Sequence, residues 1–464
     1  MQKLSVLVEL ESPQTDAFET HAAALTSASE SNRQAERLVN DLAGLGLEVV
    51  GDYAPVPLFS KATVRSETMG FAVFASPTTN SDVSSATMVV AARVDRDKIE
   101  TLKAKPGVKV WPNSTLRLLD QAAAPGVDCR PFLPPVSAVA IRDVMDVRTI
   151  WQGGFRGQEI VVGIIDEGVN GEFYPVTGGF SRPDAQAPGT APITSHGSMC
   201  AADVLIAAPW ATIYDYPFLG ILNSGGVLIM FQAVLDQRRR DGTPHLTSNS
   251  YGFVGVPPRE TNPNHEIWDI NHPVHRKILE VIESGAPAFF AAGNCGQDCP
   301  SGNCQPSGIG PGRSIHASNS LSEVITVAAV NSQNQRIGYS SQGPGMFEPH
   351  KPDISCYSHF FGNFGPGRPG GADHAAFDNG TSAATPVAAG VGALLMSALG
   401  PISPALLQEA LIAGATDLGL PGWDEDTGHG VLNAAASYRY LLAQLSSESA
   451  APKAAAALAE FAPV

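Results

Sequence analysis

Hydrophobic and polar positions follow two different patterns along the chain, and the first covers its N-terminal part. LSVLVEL (4–10) has the alternation of a strand, and residues 15–45 carry helical spacing that ends near Gly44 and Gly46. The stretch MVVAARVDRDKIETLKAKPGVKVWPN predicts a strand, a short amphipathic helix, a turn and a second strand. We therefore expect residues 1–113 to form a small α+β domain, with helices packed on one face of a sheet.

From residue 148 onward, continuous apolar runs alternate with helical ones. This pattern predicts an α/β fold over 148–445, with a doubly wound, mostly parallel sheet buried on both faces. In such a sheet, functional side chains lie beyond the carboxyl ends of the strands. The runs are IVVGIID, SMCAADVLIAA, TIYDY, VLIMFQAVLDQRRR, HLTSNSYG, HRKILEVIESG, APAFFAAGN, VITVAAV and KPDISCY.

Two further segments lack these patterns. Residues 114–147 contain several prolines and few periodic apolar positions, so we expect a linker between the two domains. Residues 446–464 are rich in alanine, and we expect a flexible tail.

Composition narrows the classes of partner. With 44% hydrophobic and 16% charged residues, the chain can bury a large core. Its net charge of −16 argues against nucleic acid and anionic membranes as partners. No apolar run is expected to reach the roughly 18–20 residues of a membrane span. The N-terminus has no apolar signal-peptide core and meets its first acid at Glu9, which favours a cytoplasmic over a secreted protein.

Four side chains fall where the predicted fold would gather them. Asp166 closes a strand, His196 starts an alanine-rich helix, Asn294 ends another strand, and Ser382 follows a Gly-Thr corner that leads into an apolar helix. A serine becomes a nucleophile when an imidazole takes its proton. A carboxylate then fixes the imidazole, and donors such as the Asn294 amide and the Ser382 backbone N–H stabilise the oxyanion.

These four positions lie in segments with a specific resemblance. VVGIIDEGVNG, SHGSMCA, FFAAGNCG and NGTSAATPVAAG resemble the four active-site blocks of the subtilisin-like serine peptidases, the subtilases or peptidase S8 family. SNSYG, YSSQGPG, KPDI and GHGVLNAAAS are similar to further elements of that family. The resemblance covers roughly residues 148–440.

The resemblance implies a role for each residue. Ser382 would be the nucleophile, His196 the general base and then acid, Asp166 its orienter, and Asn294 the oxyanion donor. An extended polypeptide substrate would pair with two strand edges in β fashion. Those edges are Ser250, Tyr251 and Gly252, and Ala291, Ala292 and Gly293. The chemistry itself requires no cofactor.

The N-terminal domain resembles the inhibitor-like propeptide of subtilases, chiefly in VVAARVDRDKIETLKAKPGVKVW. In that interpretation it is an intramolecular inhibitor and is cut off between about Asn113 and Ala138. The alternative is a permanently attached accessory domain. For the whole chain we consider three hypotheses: an active serine endopeptidase, a maturation protease dedicated to one precursor, and a catalytically silent peptide-binding module.

Several residues leave alternatives open. Cys295, Cys299 and Cys304 could form a disulfide with a third thiol free or paired elsewhere, a zinc site with His316 or Cys356, or reduced thiols. Cys200 is expected to be a small buried residue. Glu167 could be a surface side chain or could face the substrate. We expect His265, His272 and His275 on the surface. Structural calcium could bind at Asp424-Glu425-Asp426, a run that is a candidate only by its oxygen content.

Overall fold

The computed structural model describes residues 3–11, 47–50, 55–61, 83–119, 134–182, 186–218, 222–371, 376–419 and 421–445. The helix expected within 15–45 and the tail 446–464 lie outside the described residues.

The N-terminal part is an antiparallel sheet with a short helix. Strand order is β2-β4-β1-β5, with β3 also paired to β4. One face of the sheet has its own small core of Val8, Val90, Val110 and Leu102. The elements are β1 (Lys3–Glu11), β2 (Glu48–Val49), β3 (Val56–Lys61), β4 (Val83–Asp95), a 3₁₀ turn at Arg96–Lys98, α1 (Ile99–Lys103) and β5 (Val108–Pro112).

The rest of the described chain is built on a seven-stranded sheet. The elements are β6 (Arg117–Leu118), β7 (Val136–Ser137), α2 (Ala138–Val144), α3 (Arg148–Gln152), β8 (Val161–Asp166), β9 (Val176–Gly179), α4 (His196–Ala207), β10 (Thr212–Pro217), α5 (Ser224–Asp241), β11 (Leu246–Asn249), β12 (Tyr251–Gly252), α6 (Pro273–Glu283), β13 (Ala288–Ala291), β14 (Ile325–Val330), β15 (Ile354–Tyr357), β16 (Phe360–Phe361), α7 (Thr381–Leu399) and α8 (Pro404–Ala413). A further helix covers 434–445.

The large sheet is parallel throughout and confirms the predicted doubly wound α/β fold. Its order is β15-β14-β13-β11-β8-β10-β9. Helices α4, α7 and α8 contribute to the core on one face, and α5 and α6 to the core on the other. Since β8, β11 and β13 run side by side, their carboxyl ends form one edge.

Helix α7 is the one helix in the described part of the chain that could span a membrane by length and composition. It is 19 residues long, and its most apolar window has a mean hydropathy of 1.5 and is 83% buried inside the protein. The expectation that no apolar run reaches this length was therefore wrong. Its packing against the sheet and α4 makes it the central core helix.

The second face of the N-terminal sheet packs on the main fold. Leu7, Leu58 and Trp111 belong to the same apolar cluster as Leu228 of α5 and Ile278 of α6. This contact includes His272, a histidine that we expected on the surface.

His272 and His275 are completely buried, so their surface assignment was wrong. The His272 imidazole lies edge-on to Trp111, with ring centroids 5.6 Å apart. Burial lowers the pKa of His275 to about 4, so this imidazole is neutral at pH 7. His265 is only partly buried.

The segment predicted as a linker contains strand and helix. Strand β6 pairs antiparallel with β12, placing Leu118 opposite Tyr251 and Arg117 opposite Gly252. Further along, β7 pairs with β16, and Ile141 of α2 joins the main core. The division into domains remains a prediction.

Candidate active site

Asp166 and His196 meet at the carboxyl edge of the sheet. Asp166 is the last residue of β8, and His196 is the first residue of α4. The His196 Nδ1 lies 2.8 Å from Asp166 Oδ1 and 3.0 Å from Oδ2. Because an ionised carboxylate only accepts, Nδ1 carries the proton and Nε2 is left to act as a base. Both side chains are buried, which strengthens this pair.

The start of α4 is held by two neighbouring side chains. Ser195 is the N-cap, and its hydroxyl oxygen accepts from the Ser198 backbone N–H at 3.1 Å. The Glu167 carboxylate accepts the backbone N–H of His196 itself. Glu167 is half-buried and lies at a helix N-terminus, where the dipole favours a negative charge.

Ser382 and Asn294 meet at the N-terminus of α7. Asn294 Oδ1 accepts from both the backbone N–H and the hydroxyl of Thr381, each at 2.9 Å, which fixes the orientation of its amide. Gly380 precedes Thr381 with φ +80°, and a Cβ there would lie 2.9 Å from Asn294 Nδ2. The corner thus requires glycine, both for its backbone angle and for the space it leaves.

A backbone carbonyl of the same chain occupies the space in front of Ser382. Asn294 Nδ2 donates to the carbonyl oxygen of Leu119, and so does the Ser382 hydroxyl. A Cβ at Gly380 would also come within 2.9 Å of that oxygen. The Leu119 carbonyl is therefore bound by the amide that we expected to donate to an oxyanion and by the hydroxyl that we expected to act as the nucleophile. Sequence reasoning did not single out Leu119.

The residues before Leu119 lie as an extended strand between two edges. On one side, Leu119 N–H donates to Ser250 O at 3.0 Å, continuing the pairing of β6 with β12. On the other, Leu116 N–H donates to Leu222 O at 3.1 Å, and Thr115 bridges Asn223. This is the β-augmentation mode of peptide binding. The Leu222–Asn223 edge was missed, because nothing in its sequence distinguishes it from an ordinary loop before a helix.

The other predicted edge is engaged within the fold. Ala291 O accepts from Asn319 Nδ2 at 2.8 Å, and Ala292 N–H donates to Val327 O at 2.9 Å. Gly293 N–H donates to the Thr381 hydroxyl at 3.1 Å. In the described residues these hydrogen bonds hold the segment that leads into Asn294.

The cysteines beside Asn294 form disulfides. Cys295 and Cys304 are bonded to each other, and Cys299 is disulfide-bonded as well. This resolves the alternatives in favour of disulfide and against zinc or reduced thiols, while Cys356 is a free, buried thiol. The location of the protein in the cell remains a prediction.

Cys200 lies beneath the Asp166–His196 pair, free and buried as predicted. Its Sγ is 3.7 Å from Asp166 Oδ2 and 3.8 Å from His196 Nδ1. Burial and the nearby Asp166 charge raise the pKa of this thiol well above its usual value, so it stays protonated. These three residues are the one group in the described chain close enough to share a metal ion.

The acidic run considered for calcium is engaged by its own loop. Asp424 Oδ1 accepts from the backbone N–H groups of Asp426 and Thr427, at 2.8 and 2.7 Å. Asp426 Oδ1 lies 3.3 Å from Arg336 Nε and accepts from Gln342 Nε2 at 2.7 Å. Structural calcium at this run remains a prediction.

A second pair of carboxyl groups connects the two catalytic segments. Asp203 of α4 and Asp378, four residues before Ser382, are fully buried, and both carboxyl groups face Gly362, where a Cβ would lie 2.5 Å from Asp203 Oδ1 and closer still to Asp378 Oδ2. Burial, together with the Asp378 charge, raises the pKa of Asp203 well above its usual value. Asp203 is therefore the group of this pair that stays protonated.

The fold and the site together define a class of protein. A buried carboxylate–imidazole pair and a serine at a helix N-terminus share one edge of a parallel sheet, where an amide and the serine hydroxyl contact the same carbonyl oxygen. This combination belongs to serine hydrolases with a subtilisin-like fold.

Comparison with known proteins identifies the family. The sequence profile of the subtilase family, peptidase S8, matches residues 157–430, more than half of the chain, and the chain therefore belongs to the subtilases. Subtilisin DY of Bacillus licheniformis is 26% identical over 283 residues, covering 57% of this chain and 87% of the relative. The minor extracellular protease Epr of Bacillus subtilis is 23% identical over 298 residues, covering 62% of this chain and 40% of Epr.

Among solved structures, fervidolysin from Fervidobacterium pennivorans, a keratinolytic enzyme related to subtilisin, matches with a TM-score of 0.60. It is 17% identical, and the match covers 94% of this chain and 61% of fervidolysin. At this identity the likeness shows the fold alone. The chain thus spans less than two thirds of the length of both Epr and fervidolysin.

Proposed function

We propose that this chain is a serine endopeptidase that is made as an inactive precursor and cuts its own Leu119–Asp120 bond. The observation that carries the proposal is the contact of the Leu119 carbonyl oxygen with Asn294 Nδ2 and the Ser382 hydroxyl. The Leu119 position falls within the stretch in which we expected cleavage, and the preceding residues are bound as an extended strand.

In the proposed reaction, the Ser382 hydroxyl attacks the Leu119 carbonyl carbon while its proton passes to His196 Nε2. Asp166 stabilises the imidazolium through the 2.8 Å contact with Nδ1. Asn294 donates to the oxyanion of the tetrahedral intermediate. His196 then protonates the departing amino group of Asp120, and water releases Leu119 from the acyl-enzyme by the same steps in reverse.

The proposed inhibitory role of the N-terminal unit rests on its docking contacts. Arg276 Nη1 of α6 forms an ion pair with Glu9 Oε1 at 2.5 Å, and Lys277 Nζ donates to Pro57 O at 2.7 Å. After cleavage these contacts persist, so residues up to Leu119 would stay in the cleft and exclude other polypeptides. Release of this unit, rather than cleavage alone, would produce the active form.

The proposed substrates are polypeptides, and the proposed chemistry uses groups of the chain alone. Extended binding between the Ser250–Gly252 and Leu222–Asn223 edges uses backbone groups that every peptide carries. A dedicated precursor substrate stays an alternative that a peptide-library cleavage profile tests. The silent peptide-binding hypothesis is disfavoured by the complete set of Asp166, His196, Asn294 and Ser382.

A fluorophosphonate probe tests the nucleophile directly. We expect the processed wild-type chain to be labelled on Ser382 and the Ser382→Ala variant to be neither processed nor labelled. Ser397→Ala is a matched control in the same helix, because its hydroxyl bonds Leu394 O and Gly157 N–H, away from the site. Processing and labelling that persist in Ser382→Ala would exclude Ser382 as the nucleophile.

A further inference from the structure

The side chain of Leu119 is buried beside a small pocket next to the reacting groups. Leu119 is only 3% exposed, and its Cδ1 would lie 3.5 Å from a Cβ placed on Gly252. The space that remains is a cavity of about 10 Å³, which holds about one water molecule. Leu118 and Leu119 line one part of this cavity, and the rest is lined by Val254, Asn294, Cys295, Ser301, Asn303 and Cys304.

The Cys295–Cys304 disulfide lies in the wall of this pocket. Cys304 Sγ lies 3.3 Å from Asn294 O, and Cys295 Sγ lies 4.0 Å from Val254 O. Cys295 also follows directly on Asn294, so the bridge begins beside the oxyanion donor.

Two backbone hydrogen bonds hold the loop that lines the pocket. Ser301 N–H donates to Asn294 O at 2.8 Å, and Gln305 N–H donates to Val254 O at 2.7 Å. The loop from 295 to 304 is thus fastened at both ends and crossed by a covalent bond. We expect this loop to keep its position when a larger side chain is introduced, because close-packed protein interiors resist added volume.

We propose that the protein selects a flexible aliphatic residue of leucine size before the scissile bond, and that the Cys295–Cys304 disulfide sets the upper size limit. This inference rests on the proposed function. Leucine fills the pocket, and methionine fits with its unbranched chain. An aromatic ring exceeds the remaining cavity. The walls that line the cavity carry no charged side chain to pair with lysine or arginine.

Self-cleavage of the full-length chain is the assay, because it needs no prior release of the N-terminal unit. Leu119→Met, Leu119→Phe and Leu119→Lys are refolded, and the rate of cleavage after residue 119 is followed by intact mass. Lys103→Ala is the control, since this side chain of α1 is exposed and lies outside the strand bound in the cleft. We expect Leu119→Met and Lys103→Ala to match the wild type, and Leu119→Phe and Leu119→Lys to be roughly tenfold slower or more.

The role of the disulfide is tested by repeating the series in a Cys295→Ser/Cys304→Ser background. In that background we expect the cleavage rate of Leu119→Phe to lie within roughly twofold of the rate with leucine at position 119. Substitution is preferable to a reductant, which would also open the disulfide of Cys299. Cys356→Ser controls for the loss of a buried sulfur. If the double variant does not fold, Val254→Ala widens the opposite wall and should relax the Phe penalty in the same direction.

The outcomes separate the two proposals. Cleavage after residue 119 that is as fast with phenylalanine or lysine as with leucine overturns the size selection. A Phe penalty unchanged by both the disulfide variant and Val254→Ala overturns the role of the pocket walls. Absence of cleavage in every chain, including the wild type, and of Ser382 labelling instead overturns the proposed function itself.

Discussion

Replacement of Arg276 by alanine should release the N-terminal unit after self-cleavage. Glu9 is 1% exposed and accepts from Thr87 Oγ1 at 2.6 Å, from Trp111 Nε1 at 3.0 Å and from Arg276 Nη1 at 2.5 Å. Arg276→Ala leaves a buried carboxylate with only two neutral donors. Removing one partner of a buried pair costs about 3–5 kcal/mol.

Because Arg276 is 22% exposed and Glu9 keeps its other donors, we expect a cost just below that range, about 2–3 kcal/mol or roughly a 30- to 150-fold weaker complex. Glu9→Gln should cost less, because it leaves no buried charge and Arg276 can be hydrated. Lys3→Ala is the matched control, since the Lys3–Glu48 pair is half-exposed on both sides and we expect almost no change.

The assay is a dilution series of the self-cleaved protein on size-exclusion chromatography, which shows when the N-terminal fragment leaves.

The pH dependence provides a second signature. Burial alone would raise the pKa of Glu9, but the hydrogen bonds from Thr87 and Arg276 outweigh it and lower this pKa. The pKa of Glu9 is thus lower in the docked unit than in the released one. In the wild type, docking therefore weakens as the pH falls, first through the pKa of the released state and then through that of the docked state. Without Arg276, burial dominates, so the loss caused by the variant should be smaller at pH 4 than at pH 7. Release of Arg276→Ala at the wild-type dilution, or a larger effect from Glu9→Gln, would refute this reasoning.

Three other substitutions test the site. The raised pKa of Asp203 means that its contribution to stability is present at acidic pH and lost as the pH rises through its folded pKa. Asp203→Asn cannot ionise and should therefore show a smaller fall in Tm between pH 5 and pH 9 than the wild type; an equal fall would contradict this. Asn294→Ala should slow self-cleavage roughly 10²- to 10³-fold, a magnitude taken from a subtilisin, and should lower the Tm, because Thr381 loses the acceptor of two buried hydrogen bonds. Unchanged cleavage would exclude the amide as oxyanion donor. Gly380→Ala should abolish cleavage, because its Cβ would intrude 2.9 Å from the Leu119 carbonyl oxygen, and normal processing would show that this corner can move.

The main fold and two members of the site were open to prediction because their signals are local. Continuous apolar runs such as 161–166 and 325–330 became buried parallel strands. Asp166 and His196 each sit at the end of such an element, and the alternation of strands and helices requires those ends to meet.

What the sequence could not predict depends on long-range contacts. Residues 117–119 form a strand only because β12 lies beside them, and no periodicity marks so short a segment. His272 is buried against Trp111 of the N-terminal sheet, and His275 against Ser318 and Phe347, all distant in sequence from these histidines. The pairing of Cys295 with Cys304 likewise depends on a loop geometry that spacing does not encode.

The most direct test of the account is the intact mass of the freshly folded full-length chain. We predict two fragments that divide between Leu119 and Asp120, and a single uncut chain for Ser382→Ala. A wild-type chain that stays whole, or one that is cut at another bond between Asn113 and Ala138, would contradict the proposal that the carbonyl bound by Asn294 and Ser382 is the one that reacts.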